Sequence, residues 1–550
     1  MTLSFNLIDE KWIPALAEGQ EPTEVSLRYA LTHAREITEI LGESPPITVA
    51  IHRMLLAILH RALDAPKDRE DWQKIWKAGT FDEHKIIVYL EKHRSAFDLF
   101  DAQKPFFQNA TIQSKNPKSV ENLFFQNNPT ARHFGQHSGK VLLSHGAAAI
   151  GIIAMQTFDV CGYVAAENKE GKESANETHL MQTAIALMRG DNLFETLMLN
   201  FIRYDGENGE PFSFESQKDL PAWEREGPTR SEERLMRGYA DWLTWQGRRL
   251  RLRANGNAEK MEVKIFDQMR GNWFPKSLEP KHYETMVAFR KNPRSTEASK
   301  PWLEVCFRED RALWRDSLTL FENVKPLEDG SRAESFRPKT VTWLSELTAA
   351  KVLSRDKALH VDFLGVTAVN KDCKFWRHER FVLPLLYLAD TNASRNLFSE
   401  LGRALRLAED VEFILKQCSQ KLATLLLSEH ADLKNGRSPD KKKDVNPLAA
   451  SFGIEAFYWS RLETPFKALM LGLPDDVREV MDGEDLISVF GEIEMRKWAA
   501  TLRRCAEDAL LNATRSLGMS ARNLKAVTAA ERLLQSLLGR KIDNEIKEKV

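Results

Sequence analysis

From Thr48 to His60 the chain reads Thr-Val-Ala-Ile-His-Arg-Met-Leu-Leu-Ala-Ile-Leu-His, with apolar residues returning every three or four positions. That period predicts a helix. A second helix is expected over Thr183 to Arg189. Period-two alternation at Leu250-Arg251-Leu252-Arg253 and from Trp302 to Phe307 predicts short strands. Near the start, Phe5, Leu7 and Ile8 meet an acidic turn, and Trp12-Ile13 is stopped by Pro14, so a short strand with a turn is expected there. The last third changes character. Long amphipathic patterns cover Ser394 to Glu429, Ala450 to Leu473, Asp485 to Leu517 and Ser520 to Ile542. A polar linker from Ala431 to Pro447 carries the run Lys441-Lys442-Lys443 and has little to bury. Four long helices with three connections pack naturally as a bundle. The expected fold class is α+β, with a large mixed N-terminal domain over residues 1–390 and a C-terminal four-helix bundle over 391–550. No repeat of fixed period is seen.

Composition narrows this reading. At 550 residues, 43% hydrophobic and 29% charged, the chain suits a globular protein of several domains. No run of about 18 apolar residues predicts a membrane span, and no Lys/Arg-led apolar leader is visible. The five cysteines (Cys161, Cys306, Cys373, Cys418, Cys505) are far apart and form no Cys-x-x-Cys pair. That pattern fits a reducing, cytoplasmic setting. A net charge of −1 argues against an autonomous, non-specific DNA binder, which would replace phosphate counterions with Lys and Arg. Local basic patches, or membership of a larger basic assembly, stay open.

Candidate chemistry is sparse. His133, His137 and His145 lie close together, but Gly135 and Gly139 disfavour a helix and no acidic partner completes a metal motif, so they read as polar loop residues. No phosphate-binding glycine loop, nucleophile elbow or dinucleotide fingerprint is present. No acidic spacing points to two-metal nuclease chemistry. A non-enzyme without metal or cofactor is expected. On a strand, Arg249, Arg251 and Arg253 share one face, which could line up with phosphates or simply be solvated.

The opening Phe5-Asn6-Leu7-Ile8-Asp9-Glu10-Lys11-Trp12-Ile13-Pro14 resembles that of the CasA large-subunit family of the type I-E CRISPR surveillance complex, Cascade. Members tend to begin with Leu-Ile-Asp-x-x-Trp-Ile-Pro. Further motifs follow in order across nearly the whole chain. Phe97 to Gln108 resembles the family's aromatic segment with a Pro-Phe-x-Gln core, and Met188 to Thr196 its Arg-Gly turn and following helix. Arg237-Gly238 with Trp242 and Trp245 resembles its Arg-Gly-aromatic stretch. Ala456 to Trp459 lies at its aromatic patch before a bundle helix and reads as core.

The resemblance implies site residues. Thr130 to Gly139 matches a mobile loop implicated in docking near the guide RNA's 5′ end and in engaging DNA, with Phe134 at the aromatic position beside Arg132 and Gly135. The family's glycine-rich loop at the PAM duplex would follow, but only Gly162 and Gly171 stand in that region here. Lys276, or else Lys281, is the candidate for a lysine finger reading the minor groove, where an ammonium donor meets base acceptors. Phe363 to Arg380 resembles the hairpin carrying the family's wedge. Its tip would be Asn370-Lys371-Asp372, with Lys371 where glutamine is frequent. Lys441, Lys442 and Lys443, with Arg503-Arg504, would guide DNA along the bundle.

The function implied is a non-catalytic subunit that recognises the PAM in double-stranded target DNA and helps open the duplex for crRNA-guided R-loop formation. It would also recruit a helicase-nuclease in antiviral defence. Its partners would be the crRNA, the target DNA, that nuclease and the other Cascade subunits (guide 5′-end subunit, backbone subunits, small-subunit dimer), with no membrane. Two other readings are a large subunit of another type I subtype and a metal-dependent enzyme using the histidine loop.

Overall fold

A computed structural model describes residues 3–64, 66–124, 142–166, 171–204, 219–227, 229–254, 262–275, 278–292, 301–324, 334–369, 372–428, 440–482 and 485–547. The chain divides into two compact units. The first comprises Met1–Arg308, Thr319–Ser354 and Leu359–Phe381; the second comprises Glu309–Leu318, Arg355–Ala358 and Val382–Val550. The fold is α+β. The helical unit thus begins before residue 391 and takes in two short pieces from earlier in the chain.

In the first unit, the N-terminal signature is structural. The Trp12 indole is fully buried and donates to the Leu7 carbonyl at 2.9 Å, which ties off the turn. Pro14 does not stop the chain. It sits second in strand Ile13–Ala17, the middle strand of a three-stranded antiparallel sheet with Thr23–Val25 and Ile37–Ile40.

The expected helix runs from Pro45 to Leu63, with prolines in its first turn, where their missing N–H groups cost nothing, and His60 and Arg61 in its last. By length and composition this helix could cross a bilayer, which the sequence reading passed over. Within the protein 78% of its apolar window is buried, so it serves as a core helix.

The segment expected as a second helix is a strand, Ala184–Arg189. Five of its six residues are buried. A short apolar run covered on both faces carries no period that separates helix from strand. It pairs antiparallel with the first strand of a long hairpin, Ala358–Val369 and Asp372–Pro384, in register from His360↔Arg189 to Gly365↔Ala184. A separate six-stranded sheet is organised on Glu262–Arg270, which pairs with Arg248–Ala254 along its length and parallel with Gly162–Ala165 through Met269↔Ala165.

Among the described residues the helical unit holds three long helices: Asn392–Leu427, closed at its start by a Thr391/Ser394 capping box, Glu492–Thr514 and Ala521–Lys547. The expected helix over Ala450 to Leu473 is instead three short ones, Asn446–Ser451, Ile454–Ser460 and Glu463–Gly472. Gly453 breaks it, with φ at 65° in the left-handed region. Asp485–Phe490 is a strand paired with Val477–Asp482, not the start of a helix. Its apolar, β-branched run follows an Asp482-Gly483 turn signal. Polar tips of buried aromatics lock the helices: Trp498 Nε1 donates to Ala404 O at 3.0 Å, and Tyr458 Oη to Ala408 O at 3.1 Å.

Candidate nucleic-acid interface

The long hairpin positions the candidate wedge. Its strands have 12 and 13 residues, so each spans roughly 40 Å at about 3.3 Å per residue. Leu364, Val366 and Ala368 from the first strand and Cys373 from the second enter a buried cluster with Ile185, Leu187, Met286 and Phe289. Phe363 and Phe381 meet edge-to-face at 5.2 Å. Gly365 is required by close approach, because a Cβ there would lie 2.0 Å from the Thr183 carbonyl oxygen. Asp372 opens the second strand. Asn370 and Lys371 lie outside the described residues.

One buried carboxylate organises the hairpin's lower half. Asp362 is 1% exposed. It accepts from Arg380 Nε at 2.8 Å and Nη2 at 3.2 Å, and His378 Nε2 stands 3.2 Å away. Arg189 Nη1 lies at 3.7 Å and is itself paired with Glu39. Desolvation pushes the Asp362 carboxyl up, but the His378 and Arg380 hydrogen bonds, with the Arg189 charge, outweigh it and hold the group well below the usual carboxylate range. Nothing in the local sequence marks Asp362, and its role was missed.

Other expected contacts are used by the fold itself. Arg249 is 5% exposed and donates through Nε to Arg270 O at 2.7 Å, so it belongs neither to a phosphate row nor to a solvated face. Arg251 donates to Ile112 O at 3.2 Å, and Arg253 pairs with Asp267 at 2.7 Å and reaches Ser114 O at 2.6 Å. Both are half-buried. Arg251 and Arg253 thus hold the segment around Ile112 and Ser114, and Arg249 the end of strand Glu262–Arg270.

Lys281 is no free finger either. Its side chain is 13% exposed, pairs with Glu279 at 3.2 Å and lies 3.8 Å over the Trp302 ring. Lys276 is outside the described residues.

Gly162 begins a strand, Gly162–Ala165, rather than a loop, and a Cβ on it would meet nothing within 4 Å. His145 is not a loop histidine. It opens helix His145–Thr157, is buried, and packs its ring on Phe5 and Phe100. Burial lowers its pKa. Arg132, His133, Phe134, Gly135 and His137 are outside the described residues.

In the helical unit, Lys441, Lys442 and Lys443 are exposed on one short turn whose N–H groups are capped by Asp440. Arg504 is exposed, and Arg503 pairs with Asp543 at 2.9 Å. Among the described residues, no group of three or more His, Cys, Asp or Glu is placed to hold a metal ion.

Comparison with known proteins agrees with this architecture from end to end. The sequence model of CRISPR-associated protein Cse1 matches residues 6–509. The CRISPR-associated protein CasA/Cse1 of Thermus thermophilus is 30% identical over 545 residues, covering 97% of each chain. A crystal structure of Thermus thermophilus CasA superposes with a TM-score of 0.76 at 26% identity, over 98% of this chain and 99% of that one. Thermobifida fusca Cse1 shares the fold, with a TM-score of 0.79 at 21% identity over 98% of both chains. So does a chain of a CRISPR RNA-guided surveillance complex, with a TM-score of 0.70 at 17% identity over 97% of this chain and 99% of that one. With the family's motifs in order and its fold over the whole length, this chain belongs to the CRISPR-associated Cse1 family, also called CasA.

Proposed function

We propose that this chain is the non-catalytic large subunit of a type I-E Cascade surveillance complex. In this reading it recognises a PAM in double-stranded DNA, helps open the duplex for crRNA-guided R-loop formation and recruits the helicase-nuclease that cuts the target. Its setting is the cytoplasm, with the other Cascade subunits, the crRNA and the target DNA as partners. The observation that carries the reading is the long hairpin Ala358–Val369/Asp372–Pro384, whose strands are fixed in the core while its connection reads Asn370-Lys371. A rigid arm with a polar, cationic tip can press between base pairs, and guide pairing then supplies sequence specificity. Candidate recognition residues that remain are Lys276, Asn370, Lys371, Asp372 and Gly162, with Arg132, Phe134 and Gly135 on the docking loop. The exposed Lys441, Lys442 and Lys443 supply phosphate contacts.

The test is binding of target duplexes carrying every flanking trinucleotide to a complex reconstituted with this chain. A marked preference among flanks, lost when the chain is omitted, is expected. Equal binding of all flanks, or metal-dependent DNA cleavage by the chain alone, overturns the reading.

A further inference from the structure

The helical unit has a hairpin of its own, Val477–Asp482 paired with Asp485–Phe490 along its whole length. Asp485–Phe490 packs against helix Asn392–Leu427, and Phe490 is buried at its end. Among the described residues no third strand pairs with Val477–Asp482. A two-stranded ribbon is marginal in water and gains stability from a third strand.

The register says which backbone groups are open. Gly491 N–H donates to Asp476 O at 2.8 Å, and these residues stand opposite one another, one step beyond Val477↔Phe490. In an antiparallel ladder, hydrogen-bonded pairs alternate with pairs whose N–H and C=O groups point outward. Val477, Glu479 and Met481 therefore turn these groups to the free edge, while Arg478, Val480 and Asp482 bond across the hairpin.

The surroundings specify what fits that edge. Leu471, Val477 and Ile493 are 40%, 50% and 58% exposed. They gather at the hairpin's base, where a Cβ on Gly472 would lie 2.9 Å from Glu494 Cδ and Asp476 accepts from the Glu494 N–H at 2.7 Å. Residues 475–497, leaving out 483 and 484, carry seven carboxylates against three cations, in a chain whose total charge is −1. Those cations are already paired, Arg478 and Arg496 with Glu492 and Lys497 with Glu494. Such a surface repels nucleic acid and anionic lipid and attracts a basic polypeptide.

We infer that the free edge of Val477–Asp482 docks an extended, Lys- or Arg-bearing segment of a protein partner as a third strand. Main-chain bonds to Val477, Glu479 and Met481 hold the segment. Its alternate apolar side chains cover Val477 and Ile493, and its cations answer the carboxylates. This docking edge is independent of the function proposed above.

The test uses the full chain and, as the probe, a fluorescent octapeptide alternating Lys and Val. Two comparison peptides have the same length. One alternates Glu and Val; the other alternates Lys and Pro, which keeps the charge and removes half of the N–H donors. The Lys-Val peptide should bind saturably, one per chain, and at least tenfold more tightly than either comparison. Glu479→Pro removes an outward N–H from an edge strand, where proline is tolerated, and should weaken binding at least tenfold. Glu479→Gln keeps that donor and should lose no more than about threefold. On the wild-type chain, hydrogen exchange should show the Val477, Glu479 and Met481 amides protected by the Lys-Val peptide, a readout that depends on no variant folding.

No saturable binding of the Lys-Val peptide would overturn the docking edge. Equal binding of the Lys-Pro peptide would reduce the attraction to charge alone and overturn it as well. So would protection that leaves those three amides unchanged, or undiminished binding by a folded Glu479→Pro chain.

Discussion

Arg53, in the middle of the core helix, forms a buried ion pair with Glu284, its Nη1 lying 3.2 and 3.1 Å from the two carboxylate oxygens. The side chains are 1% and 3% exposed. Glu284 also accepts from Trp242 Nε1 at 2.8 Å and from the Thr285 and Met286 N–H groups at 2.9 and 2.8 Å. The Glu284 carboxylate is fully hydrogen-bonded, the condition under which a buried pair is tolerated, while Arg53 Nε has no partner among the described residues. Removing one partner leaves the other charged and dry. Arg53→Ala should therefore cost about 3–5 kcal/mol. An apolar replacement of both partners, Arg53→Met with Glu284→Leu, should cost less than the single change. Thermal unfolding of the three proteins checks the order, and a double variant worse than Arg53→Ala would contradict the account.

Two glycines should separate cleanly. Gly365→Ala places a methyl against the Thr183 carbonyl and must part the hairpin from Ala184–Arg189, with a cost of about 1–3 kcal/mol or more. Gly162→Ala enters open space and should change stability by no more than about 0.5 kcal/mol. Denaturant titration measures both. Because Gly162→Ala leaves the fold alone, any loss of DNA binding by that variant would report a contact rather than unfolding.

Stability should fall on mild acidification. Burial pushes the imidazole of His52 down to about 4 and that of His60 to about 3. Unfolded histidine binds its proton near pH 6.5. Both groups therefore contribute full stability above about 6.5 and lose it as pH falls from there toward their folded values. The loss is about 1.4 kcal/mol per pH unit for each histidine over that window. Asp362 acts at lower pH in the same direction: its stabilisation is present above about 3.9 and disappears as pH drops below that. Melting curves from pH 7.5 to 4.5 should show a steady decline, reduced in His60→Phe. A flat profile would remove burial of the neutral imidazoles as the cause.

Lys371→Ala should slow R-loop formation by the assembled complex while leaving assembly intact, and wild-type kinetics would count against a wedge at this tip. Phe134→Ala should weaken retention of this subunit by the rest of the complex. A pull-down with unchanged recovery would refute that docking role.

The sequence made some of these features legible and hid others for definable reasons. The core helix showed itself through a 3.6-residue period, and the three long C-terminal helices did likewise. Thr183 to Arg189 misled because a strand buried on both faces looks like any apolar run. Arg249, Arg251 and Arg253 alternated as strand residues do, yet their acceptors are backbone carbonyls and Asp267, contributed by other parts of the chain. Period alone says which side a residue faces, not what stands there. Arg53 carried an available signal, a cation amid an apolar helix, which implies a buried counter-charge. Asp362 carried none, since its three partners, Arg189, His378 and Arg380, come from two other strands and from nothing adjacent in sequence.

The helical unit's borrowed segment Glu309–Leu318 has a practical consequence. Trp314 lies 4.5 Å from the Phe466 ring and 5.6 Å from Trp459, and Arg315 covers Trp459 at 3.5 Å while pairing with Glu412 at 3.3 Å. A fragment cut at Val382 would carry the helices without this plug, exposing aromatic surface that its own residues cannot hide. Excision of the helical part as an independent recombinant piece will therefore need Glu309–Leu318 grafted back, or polar replacements at Trp459 and Phe466.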